Sequence, residues 1–345
     1  MKIGDYTIGS RTFIIAEIGN NHLGDPELAE KSLRAAAKTG VDAVKFQLFD
    51  PKLLVSRDEP VLAHVLDKVN KTQRERFSSM VLSHDVFTEL AELAKKLGIY
   101  FMATPFDEKS VDFLDELVPA FKIASGDANN RPLISKIISK EKPIFISTGL
   151  CDQEEVDEIY ASLPKDRSVL LHCIGSYPTP DDQASLFTIP FYRKRYDIQV
   201  GYSDHTQGEV ASIAACALGA VVIEKHFILD KSIPGGDREV SLVPEEMSIM
   251  VNKIKRLDKM KGDLERRIMD CEQKMKVTLR RSAYAYRDFK KGEEITYKDV
   301  VWLRPVVSSG LSYADFSSKN RFFAKQEILN ETPLTRENVN IEKQN

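Results

Sequence analysis

The chain has 345 residues, 42% of them hydrophobic and 29% charged, with a formal net charge of −3. That balance is ordinary for a soluble globular protein and leaves no basic excess for nucleic acid or an anionic membrane surface. No apolar run approaches the roughly 20 residues needed to span a bilayer. The first twenty residues carry no basic, apolar and small-residue leader pattern. The four cysteines (Cys151, Cys173, Cys216, Cys271) are scattered without a Cys-x-x-Cys pair, and read as reduced packing residues of a cytoplasmic protein.

Short apolar runs alternate with amphipathic stretches along most of the chain. The expected strands are Phe13–Ile18, Ala43–Gln47, Tyr100–Thr104, Ala120–Ala124, Pro143–Thr148, Ser168–Cys173, Ile198–Tyr202 and Ala220–Lys225. The expected helices are Pro26–Thr39, Val86–Leu97, Lys109–Leu117, Pro132–Ser139, Glu154–Leu163, Glu209–Leu218 and Glu245–Met260. Three of them end on Gly40, Gly98 and Gly219, the usual helix stop. Eight strands in this rhythm point to a (β/α)8 barrel rather than an open doubly wound sheet. The missing Gly-x-Gly-x-x-Gly at the first helix argues against dinucleotide binding. Residues 1–262 therefore read as a barrel and the charged stretch 263–279 as a linker or solvated helix. Residues 280–345 read as a small β-rich module with strands near Ser282–Ala285, Val300–Leu303 and Phe322–Ala324.

Active sites of such barrels lie at the C-terminal ends of the strands. Collected there are Glu17 with Asn20, Asn21 and His22; Lys45 and Gln47; Thr104; Lys122, Ser125 and Asp127; Ser147 and Thr148; Tyr177; Ser203, Asp204 and His205; Glu224 and His226. Lys45 and Lys122 are each flanked by apolar residues within a strand. A lysine directed into a barrel costs several kcal/mol of desolvation unless an anion meets it. With Thr104, Ser125 and Ser147 beside them they suit a phosphate or carboxylate; the plainer alternative is a buried bridge to Glu17 or Glu224. His205 and His226 close consecutive strands, one beside Asp204 and the other beside Glu224, which suits a shared metal ion. Two imidazoles plus water leave open positions for Lewis-acid work on a carbonyl oxygen, and Mn²⁺, Mg²⁺, Zn²⁺ and Fe²⁺ all fit that ligand set. His172 reads as packing, and His64 and His84 carry no assignment.

Several motifs occur together and in order: Ala16-Glu17-Ile18-Gly19-Asn20-Asn21-His22, Val44-Lys45-Phe46-Gln47, Ala103-Thr104-Pro105-Phe106-Asp107 and Phe121-Lys122-Ile123-Ala124-Ser125-Gly126-Asp127. Ser147-Thr148-Gly149, Leu171-His172-Cys173 before Tyr177-Pro178, Gly201-Tyr202-Ser203-Asp204-His205-Thr206 and Glu224-Lys225-His226-Phe227 follow. As a set they resemble the sialic acid (N-acetylneuraminate) synthase family of bacterial nonulosonate synthases. The tail, with Asp288-Phe289-Lys290-Lys291-Gly292-Glu293 and Leu303-Arg304-Pro305, resembles that family's antifreeze-like (β-clip) domain.

The resemblance implies condensation of phosphoenolpyruvate with an open-chain N-acylated hexosamine such as N-acetylmannosamine, with C–O cleavage and phosphate release, for surface glycan biosynthesis. It implies that Lys45, Thr104, Lys122, Ser125, Ser147 and Ser203 hold phosphoenolpyruvate. It places Mn²⁺ or Mg²⁺ on His205 and His226, makes Asp127 the base for the attacking water, and sets Glu17, Gln47, Tyr177 and Asp237 on the sugar. It further implies a domain-swapped homodimer in which Arg304 reaches the partner's acceptor. Two departures concern specificity. Ile174-Gly175-Ser176 stands where many members have an asparagine, and Val306-Val307 follows Pro305 where a glycine is usual. The segment Pro51–Thr72, which helps define the acceptor, is short. A legionaminate or pseudaminate synthase using a 2,4-diacetamido hexose is the neighbouring alternative. A metal-dependent or Schiff-base aldolase, with Lys122 as the amine, is a more distant one.

Overall fold

The computed structural model describes residues 1–61, 72–235, 237–262, 265–317 and 319–343. His64 and the middle of the segment Pro51–Thr72 lie outside the described residues. The chain divides into two compact units, Met1–Gly262 and Asp263–Asn345.

Eight parallel strands close the first unit into a barrel in sequence order. They are β1 (Phe13–Gly19), β2 (Ala43–Leu48), β3 (Tyr100–Pro105), β4 (Phe121–Ile123), β5 (Ile144–Ser147), β6 (Ser168–Cys173), β7 (Gln199–Asp204) and β8 (Val222–His226). Around them run α1 (Pro26–Lys38), α2 (His84–Lys96), α3 (Glu108–Leu114), α4 (Arg131–Ile138), α5 (Gln153–Ser162), α6 (Thr188–Arg195), α7 (Val210–Ala217) and α8 (Pro244–Met260). The (β/α)8 expectation therefore holds, with boundaries shifted by one to three residues. One helix, α6, was not expected. It buries only Ile189 and Tyr192 and ends in Arg193-Lys194-Arg195, so it has little apolar periodicity to read.

Local chemistry accounts for the helix ends. At α1, Asp25 accepts hydrogen bonds from the amides of Glu27 and Leu28, Pro26 fills the first turn, and Lys38 occupies the last. Its buried face is Ala29, Ser32, Leu33 and Ala36. Gly40 then takes φ +85°, a conformation that lets the chain turn back into β2.

The barrel has two apolar layers. Ile14, Val44, Phe46, Ile123, Ile146 and Ile223 belong to the outer layer, between strands and helices. Phe13, Ile15, Met102, Phe145, Leu171 and Val222 pack together inside the barrel and fill its lower part. A hairpin, Lys2–Ile3 with Tyr6–Thr7, adds Ile3 and Ile8 to that inner cluster. With the floor filled by apolar side chains, the polar residues near the C-terminal strand ends surround a cavity above it.

The second unit has a two-stranded sheet, β9 (Ser282–Ala285) with β11 (Val300–Leu303), and a three-stranded one, β10 (Glu294–Ile295), β12 (Asn320–Ala324) and β13 (Val339–Lys343). Its core includes Ala283, Phe289, Ile295, Phe322, Ile328 and Leu334. The stretch 263–279, read from sequence as a linker or solvated helix, groups with this unit and includes a helix at Gln273–Leu279. No helix among the described residues is long and apolar enough to cross a membrane.

Candidate active site

Strand alternation decides which side chains reach the cavity. Glu17 pairs across β1–β2 with Lys45, Gln47 across β2–β3 with Thr104, and Glu224 across β8–β7 with Ser203. All six line one cavity of about 1000 Å³, together with Lys122, Ser125, Ser147, Tyr177, Asp237 and both His205 and His226. Above the apolar floor the cavity's deepest side chains are buried and charged. Glu17 is 1% exposed, Lys45 2%, Lys122 3% and Glu224 5%.

The lysines are neutralised by carboxylates. Lys45 Nζ lies 2.7 Å from Glu17 Oε2 and 3.7 Å from Glu224 Oε2, and donates to Thr104 Oγ1 at 2.8 Å. Lys122 Nζ lies 3.6 Å from Glu224 Oε1 and donates to the Ile123 carbonyl at 3.0 Å. Burial pushes Glu17 up to about 7 although Lys45 pulls the other way. Glu224 is also buried, but Lys122 and Lys45 together hold it below the usual carboxylate range. Burial lowers Lys122, whereas Lys45 is kept above its ordinary value by Glu17 and Glu224 against the same effect. The plainer sequence alternative, a buried bridge to Glu17 or Glu224, is thus the arrangement observed. The anion reading survives beside it, because Ser147 Oγ is buried without a hydrogen-bond partner.

The histidines face each other across the rim with ring centroids 5.4 Å apart. His205 Nδ1 lies 2.8 Å from the Ile174 carbonyl, which places the proton there and leaves Nε2 as acceptor from the Tyr177 hydroxyl at 2.8 Å. Cys173 Sγ is 3.6 Å from the same Nδ1. Burial holds His226 well below the usual imidazole range, so it is neutral, and its Nδ1 is buried without a hydrogen-bond partner, 3.5 Å from Asp237 Oδ2. Two facing imidazoles, that of His226 neutral and with an orphaned nitrogen, fit a divalent ion. Among the described residues no group of three or more His, Cys, Asp or Glu side chains forms a complete metal cage, so water or substrate would supply the remaining ligands.

Two sequence expectations, for Asp204 and Asp127, need correction. Asp204 does not face the cavity; as the residue before His205 it points to the opposite side of the strand, into the helix layer. Asp127 does not line the cavity either. Ser125-Gly126-Asp127 forms a 3-10 turn that leaves Ser125 and Gly126 on the rim, while the Asp127 carboxylate turns to the Asn130 amide at 3.4 Å. Arg304 lies exposed in the second unit, just after β11. Conversely, the cavity is also lined by Arg76, Leu150, Arg238 and Glu239, which the strand-end reading did not single out. Arg76 comes from a short helix, Gln73–Ser78, and Leu150 from a loop, so no strand-end rule could have found them.

A parallel barrel whose C-terminal strand ends gather two buried lysines, two carboxylates and a pair of histidines around one cavity has the build of an enzyme. Residues 32–266 match the model of the NeuB family. The chain is 39% identical over 316 residues to the N,N'-diacetyllegionaminic acid synthase of Legionella pneumophila, covering 89% of this chain and 88% of the relative. It is 35% identical over 291 residues to the N-acetylneuraminate-9-phosphate synthase of Mus musculus, covering 82% and 80%. Among solved structures, the N-acetylneuraminic acid synthetase of Leptospira borgpetersenii superposes with a TM-score of 0.73 at 30% identity, covering 80% of this chain and 94% of that one. The chain therefore belongs to the NeuB family, enzymes of the sialic acid synthase type.

Proposed function

We propose that the protein is a nonulosonate synthase that condenses phosphoenolpyruvate with an open-chain N-acyl hexosamine and releases phosphate. The observation that carries this reading is the meeting of Lys45, Lys122 and the unpartnered Ser147 hydroxyl with the His205–His226 pair on one cavity. An anionic three-carbon substrate needs the first group, and an acceptor carbonyl needs an electrophilic partner such as the second can hold. His205 and His226 would hold the ion, Mn²⁺ or Mg²⁺, and a bound ion of this kind supplies Lewis-acid polarisation to a carbonyl oxygen.

The chain's own residues do the rest. Lys45 and Lys122 hold the phosphate and carboxylate charges, with Thr104, Ser125, Ser147 and Ser203 as neutral donors. Holding both reactants in one dry cavity sets C3 of phosphoenolpyruvate against the aldehyde carbon. As that bond forms, the aldehyde oxygen gains a proton and C2 becomes cationic. Water adds at C2, loses a proton, and the tetrahedral centre expels inorganic phosphate by breaking the C2–O bond. Glu17, raised to about 7, can carry a proton at neutral pH and is the group we assign to the acceptor oxygen. Gln47 donates to Glu17 at 2.8 Å and accepts from Asn20 at 2.9 Å, so it fixes the carboxyl's orientation and offers amide atoms to sugar hydroxyls. Tyr177 and Asp237 form the wall on the histidine side. Because Asp127 lies outside the lining, the water that adds at C2 is assigned to the cavity carboxylates, with Glu224 between the two lysines as the candidate base.

The assay is phosphate release from phosphoenolpyruvate with N-acetylmannosamine, its 6-phosphate and 2,4-diacetamido hexoses as acceptors, with and without Mn²⁺ or Mg²⁺. Release that depends on an acceptor and on the ion supports the reading. Borohydride trapping of pyruvate on Lys122, with no need for phosphoenolpyruvate, would replace it by the Schiff-base alternative. We further assign Arg304 and its β-rich unit to the partner subunit's acceptor, in a domain-swapped homodimer.

A further inference from the structure

Directly behind the two histidines lies a buried ion pair that the reaction does not use. Lys225 precedes His226 and Asp204 precedes His205, so both point away from the cavity into the layer between strands and helices. Their side chains are 0% exposed, and Lys225 Nζ lies 3.2 Å from Asp204 Oδ2. The two residues are direct cross-strand partners on β8 and β7. Lys225 Nζ also donates to the Thr206 carbonyl at 2.5 Å. One ammonium is therefore bonded to both chain neighbours of His205. Asp204 is held in turn by the Thr206 amide and hydroxyl, each at 2.8 Å on Oδ1, and by the Ser212 hydroxyl of α7 at 2.6 Å on Oδ2.

Stability alone is a poor reason for such a pair, because a packed apolar pair of similar volume is often as stable or more so. Setting register is the better-attested use of a buried polar contact. Register matters acutely at this place. A slip of one residue between β7 and β8 would exchange inward and outward side chains and turn an imidazole out of the cavity. The backbone ladder resists that slip along β7, but His205 lies one residue beyond the end of the strand. Lys225 reaches past the end of β7 and ties down the carbonyl of Thr206, the residue that follows His205.

We infer that Lys225 and Asp204, with Thr206 and Ser212, form a positioning clamp that fixes the His205 imidazole relative to His226. This rests on the reading of those histidines as a metal pair. The clamp touches neither substrate nor metal and acts only through the two rings.

The experiment is titration of metal-stripped full-length protein with Mn²⁺ alone, following free ion by its electron paramagnetic resonance signal, at a temperature well below each variant's unfolding midpoint. Lys225→Met is expected to weaken Mn²⁺ binding 10- to 100-fold, the usual cost of losing a contact that orients a metal ligand. The double variant Asp204→Asn with Lys225→Met leaves no unpaired charge and keeps the fold if the single variant does not; it should show the same loss. Thr206→Val removes only one hydroxyl from Asp204 and should weaken binding a few-fold. A folded Lys225→Met or double variant that binds Mn²⁺ like the parent overturns the clamp, as does an unchanged Thr206→Val if neither of those folds. A parent protein that takes up no Mn²⁺ overturns the metal reading, and the clamp with it.

Discussion

Replacing Lys45 with methionine tests the charge logic of the cavity floor. The ammonium lies 2.7 Å from Glu17 Oε2, 2.8 Å from Thr104 Oγ1 and 3.7 Å from Glu224 Oε2, and only 3% of its side chain is exposed. Removing one member of a buried ion pair costs about 3–5 kcal/mol when the other charge stays behind. Glu17 need not stay charged. Burial already pushes it up to about 7 beside the ammonium, so without the ammonium it takes up a proton near neutral pH. The stability loss then reduces to two buried hydrogen bonds, about 2 kcal/mol in all. The loss in substrate binding is separate. One charge-assisted contact to an anion is worth about 1.5–3 kcal/mol, or roughly 10- to 100-fold in half-saturating phosphoenolpyruvate. Urea denaturation at neutral pH measures the first quantity, and phosphate release against phosphoenolpyruvate concentration the second. A stability loss above about 4 kcal/mol would mean that Glu17 remains ionised after the substitution. Unchanged half-saturation would mean that Lys45 serves Glu17 alone and no anion.

Three further outcomes follow from the same geometry. Glu17 binds its proton more tightly folded, at about 7, than its ordinary 4.5, so it contributes stability below that lower value that is lost as pH rises through 7. Glu17→Gln should therefore flatten the fall in urea midpoint between pH 5 and pH 8; an unchanged fall would assign it to another group. At Gly175 an added Cβ would meet Leu150 Cδ2 at 2.6 Å, so Gly175→Ala must push Leu150 within the cavity. Half-saturation for the acceptor should change about tenfold, the scale of one displaced apolar contact, with that for phosphoenolpyruvate unmoved; equal changes in both would place Leu150 over the anion instead. Arg304→Ala and Lys122→Ala should each be inactive alone. After mixing and exchange of subunits they should recover about a quarter of parent activity if Arg304 works in the partner's site, and none if it works within its own chain.

How far the site could be read from sequence depended on strand parity. Lys45 and Gln47, two apart on β2, had to share a face, as did Glu224 and His226 on β8, and all four line the cavity. The same rule, applied strictly, would have sent Asp204 and Lys225 outward, since each is one residue before a cavity histidine. Grouping Asp204 with His205 because they are neighbours in sequence ignored that period. Where the chain leaves the strands the rule has no content. Asp127 is turned off the rim by a 3-10 turn, and Leu150 enters the cavity from a loop position with φ +65°. The β-rich tail was legible as short strands, whereas the bounds of helix Gln273–Leu279 were not, because it buries no residue and so leaves no apolar stripe. Parity also exposes a point that neither lysine suggests alone. Glu17 and Glu224 share the inward face with Lys45 and Lys122, so the floor carries two positive and two acidic groups. An incoming polyanion therefore cannot simply fill a positive hole; it must draw the lysines from their carboxylates. The carboxylate that yields most cheaply is Glu17, which can take a proton near neutral pH, whereas Glu224 is held ionised by both lysines. On the proposed function, anion entry and protonation of Glu17 would form one coupled event, and the proton taken up would be the one the acceptor oxygen needs next.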